Sequence, residues 1–280
     1  MNTLLNELVL EQYNSRQGQE FYRKVMGDDG HNIHYGLYND INDSMHDACE
    51  KIIYYMSQLA QEKGVNLQGA KVLELGSGNG GAAHYLSKTF DCFVTCVNLC
   101  PEQNKVNLQR AEELGISDKI NILECDFETL PESWQESFDL VWSEEAFCHA
   151  KNRQVLFAQI AGVLKEKGVL VFTDIMSTEL GRENNLNSFS DRNAVKDLAT
   201  PTDYFQCSQT KFKNIAYQDL SHHLPINFRK MIQQIDNNYQ DLIQKGVSAN
   251  YLDSFRMSLK NRLVATDSGY FSWGCFVMNK

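Results

Sequence analysis

The sequence predicts an α/β fold, and three observations carry that prediction. Short apolar runs alternate with helical patterns of about ten residues or more between 71 and 174. That alternation calls for crossover connections and a parallel sheet covered on both faces. A glycine-rich turn, Gly76-Ser77-Gly78-Asn79-Gly80-Gly81, joins the first apolar run to the helical pattern after it, as a ligand-binding strand–turn–helix unit requires. Finally, 280 residues that are 42% hydrophobic and 22% charged can bury a full core, which excludes a disulfide-stapled miniprotein or a disordered tail.

The elements follow in order. Met45, Ala48, Cys49, Ile52, Ile53, Met56, Leu59 and Ala60 share one helical stripe, and Gly64 stops it, so 45–60 is a core-facing amphipathic helix. Lys71–Leu75, Cys92–Asn98, Ile120–Glu124, Phe138–Ser143 and Val169–Asp174 read as strands, with helices over 81–89, 101–115 and 152–165. Past 175 the pattern changes. The stretch 180–210 is polar and low in aliphatics, Phe212–Gln218 reads as a strand, and 226–262 reads as helical with Phe228, Met231, Ile235, Tyr239 and Leu242 on one stripe. Tyr270–Met278 closes as a final strand. The long helical stretch reads as an insertion over one end of the sheet.

Charge and composition narrow the function classes. Lys and Arg total 26 against 36 Asp and Glu, a formal charge of −10 that repels phosphate backbones and anionic lipid; no nucleic-acid or membrane partner is expected. No run approaches the roughly 18 apolar residues of a membrane span, and the first residues carry Glu7 in place of a basic leader, so a cytoplasmic location is expected. The eight cysteines (49, 92, 96, 100, 125, 148, 207 and 275) show no Cys-x-x-Cys and no Cys/His spacing for zinc. Reduced thiols and no metal are expected.

Gly76, Gly78 and Gly81 satisfy G-x-G-x-x-G, a turn that serves nicotinamide, flavin and S-adenosylmethionine sites alike and that also occurs for packing alone. Two neighbours discriminate. Glu74 places an anion two residues before the first glycine, where a site could hold an ammonium, whereas a pyrophosphate wants amides without a carboxylate beside them. Asp126-Phe127 follows the third strand, where Asp126 could accept from an adenine amino group and Phe127 could pack on the ring.

Val72–Gly80, Asp126-Phe127, Phe138-Asp139-Leu140-Val141-Trp142-Ser143 and Val163–Leu170 together resemble the ordered motifs of class I S-adenosylmethionine-dependent methyltransferases. The resemblance implies a Rossmann-like, seven-stranded, mostly parallel sheet with helices on both faces, the last strand antiparallel and inserted. It implies a cofactor over the carboxyl ends of the first strands. It divides the chain into a lid and helix at 1–66 and a catalytic domain at 67–280 with a helical cap at about 180–265. S-adenosyl-L-methionine is the implied cofactor, and Glu74, Gly76, Ser77, Gly78, Gly80, Leu99, Gln103, Asp126, Phe127 and Ser143 are the implied contacts, with Tyr13 and Tyr22 from the lid. One position departs: Asn98 stands where the family usually has an acid for the ribose, so a ribose contact there lacks a charge-assisted bond.

Upstream, Gln12-Tyr13-Asn14, Glu20-Phe21-Tyr22 and His31–Tyr38 form an aromatic-rich cap. It resembles the lid of small-molecule methyltransferases, including the sarcosine/dimethylglycine N-methyltransferases of glycine betaine synthesis. The likeness continues through Trp142–His149, Phe172–Met176 and Phe271–Gly274. It implies a small-molecule acceptor, most closely an amine, with O- or C-methylation as the alternative; a nicotinamide-dependent oxidoreductase is the reading from another class. In-line displacement at a sulfonium methyl needs positioning and exclusion of water. His149 and Asp174 form a candidate base pair at the sheet edge. His34, Tyr35, Glu144, Arg229 and Trp273 are candidate acceptor contacts, the aromatic ones through cation–π attraction. An Arg-His-Tyr run that opens the helical insertion in betaine-forming enzymes is replaced here by Ile226-Asn227-Phe228, which leaves the carboxylate of a glycine-type substrate to another cation. A monomer or homodimer is expected.

Overall fold

The computed structural model describes residues 2–26, 31–184, 186, 195 and 197–280. Seven strands form one sheet: β1 (Lys71–Leu75), β2 (Phe93–Val97), β3 (Ile120–Leu123), β4 (Phe138–Glu144), β5 (Leu164–Ser177), β6 (Lys213–Asp219) and β7 (Phe271–Asn279). Their order is β3-β2-β1-β4-β5-β7-β6. The first five run parallel, and β7 lies antiparallel between β5 and β6. The expected Rossmann-like sheet with an inserted antiparallel last strand is therefore present. Strand order reverses between β1 and β4, so a crevice opens outside their carboxyl ends, where such sheets bind ligands.

Helices α1 (Asn2–Asn14), α2 (Arg16–Val25) and α3 (Met45–Glu62) precede the sheet; α4 (Gly81–Phe90), α5 (Pro101–Glu113) and α6 (Arg153–Val163) are its crossovers. After β5 come α7 (Glu179–Glu183), α8 (Pro201–Ser208), α9 (Leu224–Gln244) and α10 (Ala249–Asp267). Local chemistry sets the ends. Ser15, Ser44, Asn152 and Ser248 accept from backbone N–H groups at the starts of α2, α3, α6 and α10, satisfying donors that a helix start otherwise orphans.

Three expectations change. The helical stretch at 226–262 is two helices, because Gly246 takes φ +93° and turns the chain between them. The strand expected at Val169–Asp174 starts earlier, at Leu164, and runs to Ser177. The polar segment before β6 contains α8, started by a Thr200–Asp203 capping box with Pro201 at its first turn; residues 185, 187–194 and 196 of that segment lie outside the described residues.

Alternation along the strands sorts the core into two layers. Val72, Leu140, Trp142, Val169, Val171 and Ile175 face a layer shared with α2, α3, α9 and α10, through Phe21, Ile52, Phe228, Met231 and Phe255. Leu73, Leu75, Val141, Leu170, Phe172 and Met176 face a layer with α6 and α8, through Phe157 and Tyr204. The amino-terminal helices and the cap helices thus share the core of one sheet face. All eight cysteines are free thiols. No helix among the described residues is long and apolar enough to cross a membrane.

Candidate active site

The crevice has three connected lobes. The first is lined by the turn after β1 (Gly76, Gly78), the end of β2 (Asn98, Leu99, Gln103), the end of β3 (Asp126, Phe127), and Tyr13, Ile33, Glu144, Glu145 and His149. A second lobe continues through Tyr13, Tyr22, Ile33, His34, Tyr35, Glu145, His149 and Arg262. The third lies behind the turn, between Glu74, Ser77, Gly78, His34 and Glu144.

The glycines have steric reasons. Gly76, Gly78 and Gly80 adopt φ of +76°, +52° and +81°, a region that L side chains avoid. A Cβ on Gly76 would also sit 2.3 Å from that of Ala146, and one on Gly81 would sit 1.9 Å from Asn32 Oδ1. The lid loop therefore rests directly on the turn.

The acids follow from strand alternation. Glu74 on β1 is opposite Trp142 on β4, so Glu74 and Glu144, two residues beyond Trp142, point to the same face of neighbouring strands. Glu74 is 4% exposed; burial and the Glu144 charge push its carboxyl well up. Burial also raises Glu144, to about 8, and Glu145, to about 7. His34 Nδ1 lies 3.7 Å from Glu144 Oε1, but its own burial lowers its affinity for a proton, so it neutralises little. Glu145 adopts φ +49°, an uncommon conformation for a non-glycine residue. Trp273 Nε1 donates to its Oε1 (2.7 Å) and the Tyr35 N–H to its Oε2 (3.0 Å). Three clustered, poorly solvated carboxylates disfavour their own ionisation until a cation enters.

The test for an S-adenosylmethionine fit rests on these features. Among the described residues, Glu144 Oε1 and Ser77 Oγ are buried without hydrogen-bond partners in a lobe lined by acids, and the turn beside it is closely packed against Ala146 and Asn32. A ligand with an ammonium and a sulfonium supplies the missing positive charge, and the residues fit it.

Other expected contacts divide. Asn98 Nδ2 donates to Gln103 Oε1 and Asn104 Oδ1, each at 3.2 Å. Asp126 accepts from the Glu128 N–H (3.0 Å), Asn6 (3.3 Å) and Lys151, so an adenine amino group there shares a carboxylate already engaged. Gly80 lies at the amino end of α4, shaping the turn and not lining a lobe. Tyr13 and Tyr22 stack at 5.1 Å with 23° between their planes, and Tyr13 meets the His149 ring edge-on at 5.8 Å.

Four expectations need correction. Ser143, expected at the cofactor, is fully buried and donates to the Leu75 carbonyl (2.8 Å), tying β4 to β1. Asp174 does not pair with His149; as an even position of β5 it faces the α8 layer, where it accepts from Tyr204 Oη. Trp273 is fully buried in β7 and meets the site from behind, through its bond to Glu145 and an edge-on contact with the Tyr35 ring at 5.9 Å. Arg229 is exposed on α9 and lines no lobe. Arg262 is the missed residue: it stands on the apolar stripe Leu252, Phe255, Leu259 of its helix, and a charged residue on such a stripe is the signal that could have found it.

A family model described as "Methyltransferase domain" matches residues 73–172. The sarcosine/dimethylglycine N-methyltransferase of Halorhodospira halochloris is 31% identical, over 98% of this chain and 96% of that one. That of Aphanothece halophytica is 30% identical, over 96% and 95%. Among solved structures, a Galdieria sulphuraria protein provisionally assigned as a sarcosine dimethylglycine methyltransferase superposes with a TM-score of 0.85 at 25% identity, covering 93% of this chain and 97% of its own.

Proposed function

The chain belongs to the S-adenosylmethionine-dependent methyltransferase family, and on that footing we propose that it methylates the nitrogen of a small N-methylated amino acid such as sarcosine or dimethylglycine. The observation that carries the reading is the second lobe. It joins a partly buried carboxylate, Glu145, to aromatic faces from Tyr13, Tyr22 and Tyr35, the surroundings that hold a substituted ammonium through charge and cation–π attraction. The two near-full-length relatives act on sarcosine and dimethylglycine by name, which supports the same acceptor class here.

The cofactor supplies an electrophilic methyl carbon on a cationic sulfur. Glu74 and Glu144 would hold the methionyl ammonium, the glycine turn would admit the chain, and Asp126, Phe127, Leu99, Asn98 and Gln103 would bound the adenosine. In the second lobe the acceptor nitrogen must lie in line with the methyl carbon, and the rings around it exclude water. An amine arrives protonated at neutral pH; Glu145, raised to about 7, and His149 beside Tyr13 are the groups positioned to take that proton and expose the lone pair. The bound cofactor would then supply its methyl group to that lone pair, with the neutral thioether as the leaving group. On this reading the enzyme acts in the cytoplasm, as a monomer or homodimer, without nucleic acid.

The test is methyl uptake from labelled cofactor into glycine, sarcosine, dimethylglycine, phosphoethanolamine and catechol. Label should enter sarcosine and dimethylglycine. Uptake into catechol or phosphoethanolamine with none into the amino acids would refute the proposal.

A further inference from the structure

His34 carries a polar atom that the reaction just described leaves unused. The residue is 6% exposed and stands in the wall that the second and third lobes share. Its position is preset. Cys49 Sγ on α3 donates to the His34 carbonyl at 3.5 Å, and the N–H of the next residue, Tyr35, donates to Glu145 Oε2 at 3.0 Å.

The tautomer is preset as well. His34 Nδ1 lies 3.0 Å from the Tyr35 carbonyl oxygen, and a carbonyl only accepts, so Nδ1 carries the hydrogen. Burial lowers the ring's affinity for a second proton and keeps it neutral. Nε2 is therefore a bare lone pair, and among the described residues no group donates to it. A buried acceptor without a donor is costly, and it calls for a donor from outside the chain.

Two amine-bearing ligands meet this wall, one in each lobe, and their chemistry separates them. A tertiary amine ready to attack has given up its only N–H, and its quaternary product has none, so Nε2 would stay without a donor on that side. The methionyl ammonium keeps three N–H groups throughout, and Glu74 and Glu144 would take two of them. Glu144 Oε1 is 3.7 Å from His34 Nδ1, so the ring stands beside that pair of acids. We propose that His34 is a contact of the methyl donor: Nε2 accepts the third N–H of the methionyl ammonium and completes a cradle of three acceptors with Glu74 and Glu144. The proposal rests on the reading that those two acids hold the ammonium and adds a neutral acceptor to them. It moves His34 from the methyl acceptor, where the sequence suggests an aromatic contact, to the methyl donor. A neutral nitrogen serves there because another carboxylate would raise the cost of ionising the two already present.

The experiment follows the histidine ring nitrogens by magnetic resonance in isotope-labelled protein, with His34→Phe used to assign the His34 signals. It compares S-adenosylhomocysteine with its deaminated analogue, which keeps the adenosine, thioether and carboxylate and lacks only the ammonium. Without ligand, His34 should show a protonated Nδ1 and an unprotonated Nε2. S-adenosylhomocysteine should move the Nε2 signal toward that of a hydrogen-bonded nitrogen, and the analogue and dimethylglycine should leave it in place. By calorimetry, His34→Phe should weaken S-adenosylhomocysteine about tenfold and the analogue less than about twofold. His34→Gln, which offers an amide oxygen in place of Nε2, should restore most of the loss. A protonated Nε2 in the free protein, an Nε2 signal unmoved by S-adenosylhomocysteine, or one moved equally by the analogue or by dimethylglycine would overturn the proposal. So would equal losses for both ligands in His34→Phe. If His34→Phe does not fold, His34→Gln assigns the signals and the Nε2 response decides. Wild-type protein that prefers S-adenosylhomocysteine to the analogue while Nε2 stays unmoved overturns the role of His34 alone; wild-type protein that binds the two equally overturns the underlying placement of the ammonium as well.

Discussion

Glu74, Glu144 and Glu145 ask for a cation, and the pH dependence has a definite sign. Burial raises Glu144 from an ordinary 4.5 to about 8 and Glu145 to about 7. Between those limits the folded chain without a bound cation holds more protons than the unfolded chain, so its stability is greatest at the acid end of this window and falls as pH rises toward about 8. A bound cation favours the ionised carboxylates, so S-adenosylmethionine should expel protons as it binds and should bind more tightly as pH rises through the same window. Calorimetry at about pH 6.5 in two buffers of different ionisation enthalpy should show net proton release, and identical heats would contradict the shared acidic site. Residue by residue, legibility followed locality. Glu74 and the glycines sit in one contiguous motif whose geometry is local. Ser143, Asp174 and Trp273 were misplaced because which face a strand residue takes, and what neighbour meets it there, depends on register with distant strands. Arg262 lies more than a hundred residues from the motif and reaches the crevice only through packing of α10.

At the scale of elements, the lid is held by its backbone. Asn227 of α9 accepts from the Gly36 N–H (2.9 Å) and donates to the Gly36 carbonyl (3.0 Å), joining the loop that carries His34 and Tyr35 to the cap. Asn227→Ala leaves two backbone groups of Gly36 without those bonds, a loss of about 2 kcal/mol. A lower denaturation midpoint and a raised KM for the acceptor should follow, with cofactor binding little changed; a wild-type midpoint and KM would show the clamp to be dispensable. Asn227 therefore serves lid attachment. Strands β1 to β4 were legible because alternating hydrophobic runs and turn residues are local signals. The division of α9 from α10 was signalled by Gly246, and α8 by its capping box, but in polar sequence such signals compete with loop chemistry that uses the same residues.

For the whole molecule, a parallel sheet gathers the ends of β1, β2, β3 and β4 at one edge, and the amino-terminal and cap helices close over that edge through a shared apolar layer. The sheet was predictable in class from the alternation of strands and helices, and its inserted antiparallel last strand from the resemblance the motifs carry; its strand order came from the structure. The roof was not predictable, because its contacts join residues 21–26 and 31–38 to residues 224–262. The resulting crevice is anionic at the glycine turn, and the proposal for that end is that Glu74 holds the methionyl ammonium of the methyl donor. The most direct measurement is calorimetric binding of S-adenosylhomocysteine against 5′-methylthioadenosine, which keeps the adenosine and thioether but lacks the amino-acid end, to wild-type protein and Glu74→Gln. The wild-type protein should prefer S-adenosylhomocysteine by at least about tenfold, and Glu74→Gln should lose most of that preference. Equal affinities in the wild-type protein, or a preference untouched by the substitution, would contradict it.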